Sequence, residues 1–153
     1  MKKNLSIVAG SALLLLTACQ TADQKVPEIS ADFCNCFSDI EKNMSNQSKQ
    51  IMEKAANTAD PITTINSEME KLSVEEQQAI RTEMTPIADM QNKNSLIGKC
   101  IADVEKKYGN TKTFDQKKLL QKIVTELESK KNCTVTAALM KIGLKAKESG
   151  NVQ

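Results

Sequence analysis

The chain has 153 residues, with 21 Lys plus Arg against 19 Asp plus Glu, a formal charge of +2 and no histidine. That balance gives no whole-chain case for nucleic acid or for electrostatic binding to an anionic surface. The lack of histidine removes His-based triads, His metal sites and the commonest general base at neutral pH.

Lys2 and Lys3 open the chain, followed by an apolar run from Leu5 to Leu16 and then Leu16-Thr17-Ala18-Cys19. A basic start, a short apolar core and small residues before a cut site have the organisation of a secretory signal. The run is about a dozen residues, short of the roughly 20 that a spanning helix needs. Residues 1–19 resemble the signal peptide and lipobox of bacterial lipoproteins. The resemblance implies that residues 1–18 are removed, that Cys19 receives a diacylglyceryl group on its thiol, and that its new amine is acylated, typically with palmitate. It further implies a lipid-anchored protein of the bacterial cell envelope. Gln20, where an Asp would mark inner-membrane retention, points to the outer membrane.

Cleavage before Cys19 removes Lys2 and Lys3 and no acid, so 21 basic residues become 19 against 19 acidic ones, a net charge of zero. Membrane attachment then rests on acyl chains, at ~0.8 kcal/mol per buried methylene. Residues 19–29 are polar, contain Pro27 and show no helical period, which reads as a short tether to a helical domain over 30–153.

Ser30 is placed to cap a first helix, in which Phe33, Phe37, Ile40, Met44, Gln47, Ile51 and Ala55 recur at spacings of three and four. Asn57–Asp60 breaks it. Asp60-Pro61 is a cap followed by proline at the first helical position and starts a second helix bearing Ile62, Ile65, Met69 and Leu72. Ser73-Val74-Glu75-Glu76 matches a capping box and starts a third, with Ala79, Ile80 and Met84. Thr85-Pro86 repeats the cap-then-proline pattern and predicts a fourth, running to Tyr108. Within it, Asn92-Lys93-Asn94-Ser95 is poor in helix formers and a point of interruption. Gly109-Asn110 ends it. Thr113 with Gln116 caps a fifth helix carrying Phe114, Leu119, Leu120, Ile123, Val124 and Leu127. Cys133–Lys147 is a sixth, with Val135, Ala138, Leu139 and Ile142. No alternating run long enough for a strand occurs. The expected fold is all-α: a small antiparallel bundle of about five to six helices.

Four cysteines remain after Cys19: Cys34, Cys36, Cys100 and Cys133. An even number in an exported chain reads as disulfides. Residues two apart on a helix point about 200° from each other, so Cys34 and Cys36 are poor partners for one another. Two pairings stay open: Cys34 with Cys133 and Cys36 with Cys100, or Cys34 with Cys100 and Cys36 with Cys133. Such staples suit a chain whose aromatics after Cys19 are Phe33, Phe37, Tyr108 and Phe114 alone. Zinc on the four thiolates is less favoured, because only one close pair exists. Copper is less favoured because Met44, Met52, Met69, Met84, Met90 and Met140 are scattered along the apolar stripes. No metal or cofactor is expected.

Catalysis has little to rest on. There is no Gly-x-Ser-x-Gly and no Gly-rich phosphate loop. Glu75-Glu76 sits at a helix start, where the dipole favours acids. The sequence therefore points to a non-enzymatic envelope lipoprotein that works as a protein-binding or assembly module. Its partners would be the membrane, through its acyl chains, and another envelope protein or a copy of itself, with no nucleic acid. The alternative is a carrier of a small apolar ligand or lipid in a bundle cavity.

Overall fold

The computed structural model describes residues 22–109 and 116–148. They form helices α1 (Ala22–Asn43), α2 (Asn46–Ala56), α3 (Pro61–Met69), α4 (Val74–Ala88), α5 (Leu96–Tyr108), α6 (Gln116–Glu128) and α7 (Thr134–Glu148), with one 3-10 turn over Asp89–Gln91. Among the described residues there is no strand, and the fold is the all-α, disulfide-stapled bundle that the apolar stripes predict. Residues 1–21, which hold the signal-like segment and Cys19, lie outside the described residues, as do Thr113 and Phe114 of the fifth helix cap.

Helix α1 is the hub, packing against α5, α6 and α7, while α2 packs against α3 and α7. It begins at Ala22, so residues 22–29 are helix and not tether. The cause is burial: Val26 and Ile29 continue the Phe33/Phe37 stripe one turn upstream and enter the core with Val104, Tyr108, Ile123 and Leu127. Pro27 is accommodated on the exposed side. Ser30 is consequently no cap. It is fully buried, and its hydroxyl donates to the Ile123 carbonyl of α6 at 3.4 Å.

The long first helix expected up to Ala55 is two helices. The stripe continues, with Met44, Ile51 and Met52 all buried, but the backbone breaks at Met44-Ser45. Ser45 caps α2 by accepting from the Ser48 N–H at 3.2 Å. Glu83 of α4 completes that cap. Its Oε2 accepts from the Ser45 N–H at 3.0 Å, from the Ser45 hydroxyl at 2.9 Å and from the Ser48 hydroxyl. At the other end of α2, the Lys145 ammonium of α7 donates to the Ala56 carbonyl at 2.8 Å and to that of Thr58. An acid at the N-terminus and a base at the C-terminus match the helix dipole. Both come from distant chain, so no local motif announces them.

Two local motifs form as read. Asp60 caps α3 through the Thr63 N–H at 3.1 Å with Pro61 at the first position. At α4 the Ser73 hydroxyl accepts from the Glu76 N–H at 3.2 Å, and the Glu76 carboxylate accepts from the Ser73 N–H at 2.9 Å. Thr85-Pro86, in contrast, starts nothing. Pro86 lies inside α4, which continues to Ala88 and buries Ile87 in the cluster of Met44, Met52 and Val135. The Thr85 hydroxyl donates back to the Arg81 carbonyl at 3.0 Å, the mid-helix use of threonine. Packing of Ile87 outweighs the one hydrogen bond that Pro86 forfeits.

The interruption at residues 92–95 is real. Ser95 caps α5 by accepting from the Gly98 N–H at 3.0 Å, and its hydroxyl donates to the Asp89 and Asn92 carbonyls, each at 2.8 Å. This tight turn needs glycine at 98, because a Cβ there would lie 2.1 Å from the Asn92 carbonyl oxygen. Gly98→Ala should therefore destabilise the protein by roughly 1–3 kcal/mol, the usual cost of overpacking. A urea titration that left the midpoint unchanged would contradict this.

Residues 129–133 form a turn between α6 and α7. The start of α7 is capped from α1: Glu41 Oε1 accepts from the Thr134 N–H at 3.0 Å and from its hydroxyl at 2.8 Å.

Candidate binding groove

The four cysteines are brought together in two pairs. Cys34 bonds Cys133, with Cα atoms 5.3 Å apart, and Cys36 bonds Cys100, at 5.6 Å. The first joins α1 to the start of α7 and the second joins α1 to α5. With all four sulfurs in bridges, none is a thiolate ligand. Among the described residues no group of three or more Cys, Asp or Glu is arranged to hold a metal ion.

The stapled helices enclose an open apolar groove of about 540 Å³. Phe33 and Phe37 of α1 contribute to it, with Ile101 and Ala102 of α5, Leu120 of α6, and Leu139, Met140 and Leu144 of α7. Met90 and Gly98 line it from the 89–98 region, and Gly143 from α7. The stripes explain this arrangement. Each helix turns its most buried residues inward and leaves the next ones along half-covered. Four such half-covered edges meet here, because the bridge to Cys100 fixes α5 against α1. Met90 and Met140 add unbranched side chains that adapt to an occupant. A volume between ~300 and 1,000 Å³ is typical of ligand clefts.

Gly143 is the least expected member. It sits in mid-helix, where glycine costs about 0.5–1 kcal/mol relative to alanine. A Cβ at this position would meet nothing within 4 Å, so no packing inside the chain requires its smallness. The sequence does carry this sign, as a glycine inside an otherwise good helical stripe.

On α1 and α5 an ion cluster flanks the core. The Lys107 ammonium lies 2.8 Å from Asp32 and 3.1 Å from Glu28, and the Tyr108 hydroxyl donates to Asp32 at 2.8 Å. Lys107, followed by Tyr108, holds the Asp32 carboxyl below its ordinary value, and the same neighbours lower Glu28. The two acids raise the Lys107 ammonium in turn. Lys107 and Glu28 are half-exposed while Asp32 is partly buried and Tyr108 buried, and together they form a structural clasp between α1 and α5.

Glu83 is also held low, first by the Ser48 hydroxyl and then by the Ser45 N–H. A carboxylate with a lowered folded pKa stabilises the fold above its unfolded value and loses that contribution as pH falls through the folded one. Stability should thus decline as pH falls below about 4.5, the ordinary glutamate value. In Glu83→Gln that decline should be shallower, as read from urea midpoints against pH. Equal slopes for both proteins would refute the role assigned to Glu83.

The fold and its groove define a class: a disulfide-stapled, all-α domain with an unfilled apolar cleft at the meeting of four helices. No family model matches the chain, and neither a curated protein nor a solved structure shows significant similarity to it. None of the described helices is long and apolar enough to cross a membrane.

Proposed function

We propose that the protein is a non-enzymatic lipoprotein of the bacterial envelope, anchored by acyl chains on Cys19, that binds the apolar face of a helix from another envelope protein in the groove between α1, α5, α6 and α7. The observation that carries this reading is the groove itself, with its gap at Gly143. An amphipathic helix presents apolar residues at spacings of three and four, and such a face can cover an open cleft and exclude water along its length. A glycine on the wall lets a partner approach close to the α7 backbone. The lipobox-like Leu16-Thr17-Ala18-Cys19 supports the anchor. The absence of histidine and of nucleophile motifs supports a binding role without turnover.

The carrier reading draws on the same volume, about 540 Å³, which would admit a fatty acyl chain. The groove's openness favours the helix, since a small apolar molecule would leave one side wet.

Gly143→Trp tests the site. An indole there projects into open space, so α7 should tolerate it while the groove fills. Gly143→Ala serves as the control and should raise stability by about 0.5–1 kcal/mol. Crosslinking in membranes followed by pull-down should recover a partner with the wild type and the alanine variant, and lose it with tryptophan. Equal recovery by all three would place binding elsewhere. Lipid retained through gentle extraction by the wild type, and displaced in Gly143→Trp, would select the carrier instead.

A further inference from the structure

A second cleft, of about 640 Å³, opens beside the Cys34–Cys133 bridge. Lys42 of α1, Lys49 of α2, and Lys130 and Lys131 of the turn before α7 line it, against a single acid, Glu41. Oε1 of that acid is engaged at the start of α7 through Thr134, and its buried Oε2 makes no hydrogen bond to the lysines. Lys42 pairs with Asp39 at 3.3 Å and Lys130 with Glu126 at 3.4 Å. The Lys42 pair is water-exposed and of the kind that binds weakly, while Lys130 and Glu126 are partly buried and Lys130 also donates to the Pro27 carbonyl at 3.4 Å. The ammonium groups of Lys49 and Lys131 make no hydrogen bond among the described residues, although Lys49 lies near enough to Glu83 to help lower its carboxyl, and the side chains of Asn35 and Asn132, on the same wall, make none either.

We propose that this basin binds a phosphate-bearing ligand. Four cations on the wall of one concave cavity match a multiply charged anion. With Lys42 and Lys130 paired inside the chain, a single carboxylate would still leave one of Lys49 and Lys131 unmatched. Asn35 and Asn132 supply neutral amide donors to the remaining oxygens. The chain as a whole is close to neutral, so the attraction belongs to this cavity and not to a general basic character. The phosphate could be that of a soluble phosphorylated compound or of a phospholipid headgroup, which share the recognition chemistry. The site is separate from the apolar groove, and its test does not depend on that reading.

The experiment uses the oxidised full chain in neutral detergent micelles, titrated calorimetrically with sodium pyrophosphate and separately with anionic phospholipid doped into the micelles. Saturable one-to-one binding is expected in at least one arm. Saturation by pyrophosphate identifies a soluble ligand class, and saturation by phospholipid alone identifies a headgroup. Lys49→Gln combined with Lys131→Gln should weaken it by about tenfold or more, as expected for loss of hydrogen bonds from charged donors. Lys54→Gln with Lys71→Gln, two lysines paired with Glu68 elsewhere, should leave it unchanged. Lys42→Gln with Lys131→Gln gives a second pair on exposed positions, should the first disturb the fold. Failure to saturate in both arms, or equal weakening by basin and control variants, would overturn the proposal.

Discussion

Replacing Cys36 and Cys100 together by serine should lower the unfolding free energy by about 2–4 kcal/mol, and replacing Cys34 and Cys133 by a similar amount. The bridges close loops of 64 and 99 residues. A chain-entropy account assigns each ~4–5 kcal/mol, and measured values usually fall below that. Both arise from α1, two residues apart, and tie it to two different downstream helices, α7 and α5. Without them, α1 would be held to α5 and α7 by a core poor in aromatics (Val26, Ile29, Val104, Tyr108, Ile123, Leu127 and Ala137), by the Lys107 clasp and by the Glu41 cap. A net stability of ~5–15 kcal/mol is normal for a domain, so losing both bridges would remove a large share of it. The fully reduced protein should therefore lose its cooperative transition at moderate temperature. Urea titrations of the two double-serine variants and of the reduced wild type would show this. Midpoints unchanged on reduction would mean that the bridges only decorate a core that stands without them.

Leu127→Ala should have the largest effect of any single core truncation, about 2–5 kcal/mol. Its side chain is 0% exposed and sits where α6 meets α1 and α7. Neighbours tied by two disulfides have little freedom to collapse into the void, which pushes the cost towards the upper end of that range. Leu120, two turns earlier on α6, is only half-buried and lines the groove. Leu120→Ala should cost less than Leu127→Ala, since part of the Leu120 surface stays in water in the folded protein and the loss of its methyl groups opens no closed cavity. The difference between the two urea midpoints thus separates core from groove on one helix. Equal losses would mean that the groove is part of the core, and the binding proposal would lose its footing.

Much of the fold is legible locally. Asp60-Pro61, the Ser73-to-Glu76 capping box and the helix-poor Asn92–Ser95 stretch each act within four residues, and each forms as its chemistry dictates. The misread points share another character. Thr85-Pro86 has the same local pattern as Asp60-Pro61, yet it lies inside α4 because Ile87 gains more by entering the core than the chain gains by restarting a helix. The segment 22–29 lacks a helical period when read alone. It acquires one only when Val26 and Ile29 are joined to the Phe33 stripe and given α5 and α6 to pack against.

The candidate site divides in the same way. The even cysteine count and the short Cys34-to-Cys36 spacing limit the bridges to two pairings. Choosing between them takes the placement of α7 on one side of α1 and of α5 on the other. The caps by Glu41, Glu83 and Lys145 cross 93, 38 and 89 residues of chain. No window of sequence contains both members of such a pair. The groove is more distant still from local reading, since it is made of what four stripes leave uncovered. Helix type, the breaks with strong capping chemistry and the number of staples follow from neighbours along the chain, where propensity and short-range hydrogen bonds act. The α1 start, the α1–α2 break, the disulfide pairing and both clefts follow from contacts between helices, because burial and charge compensation are settled only when the partners meet.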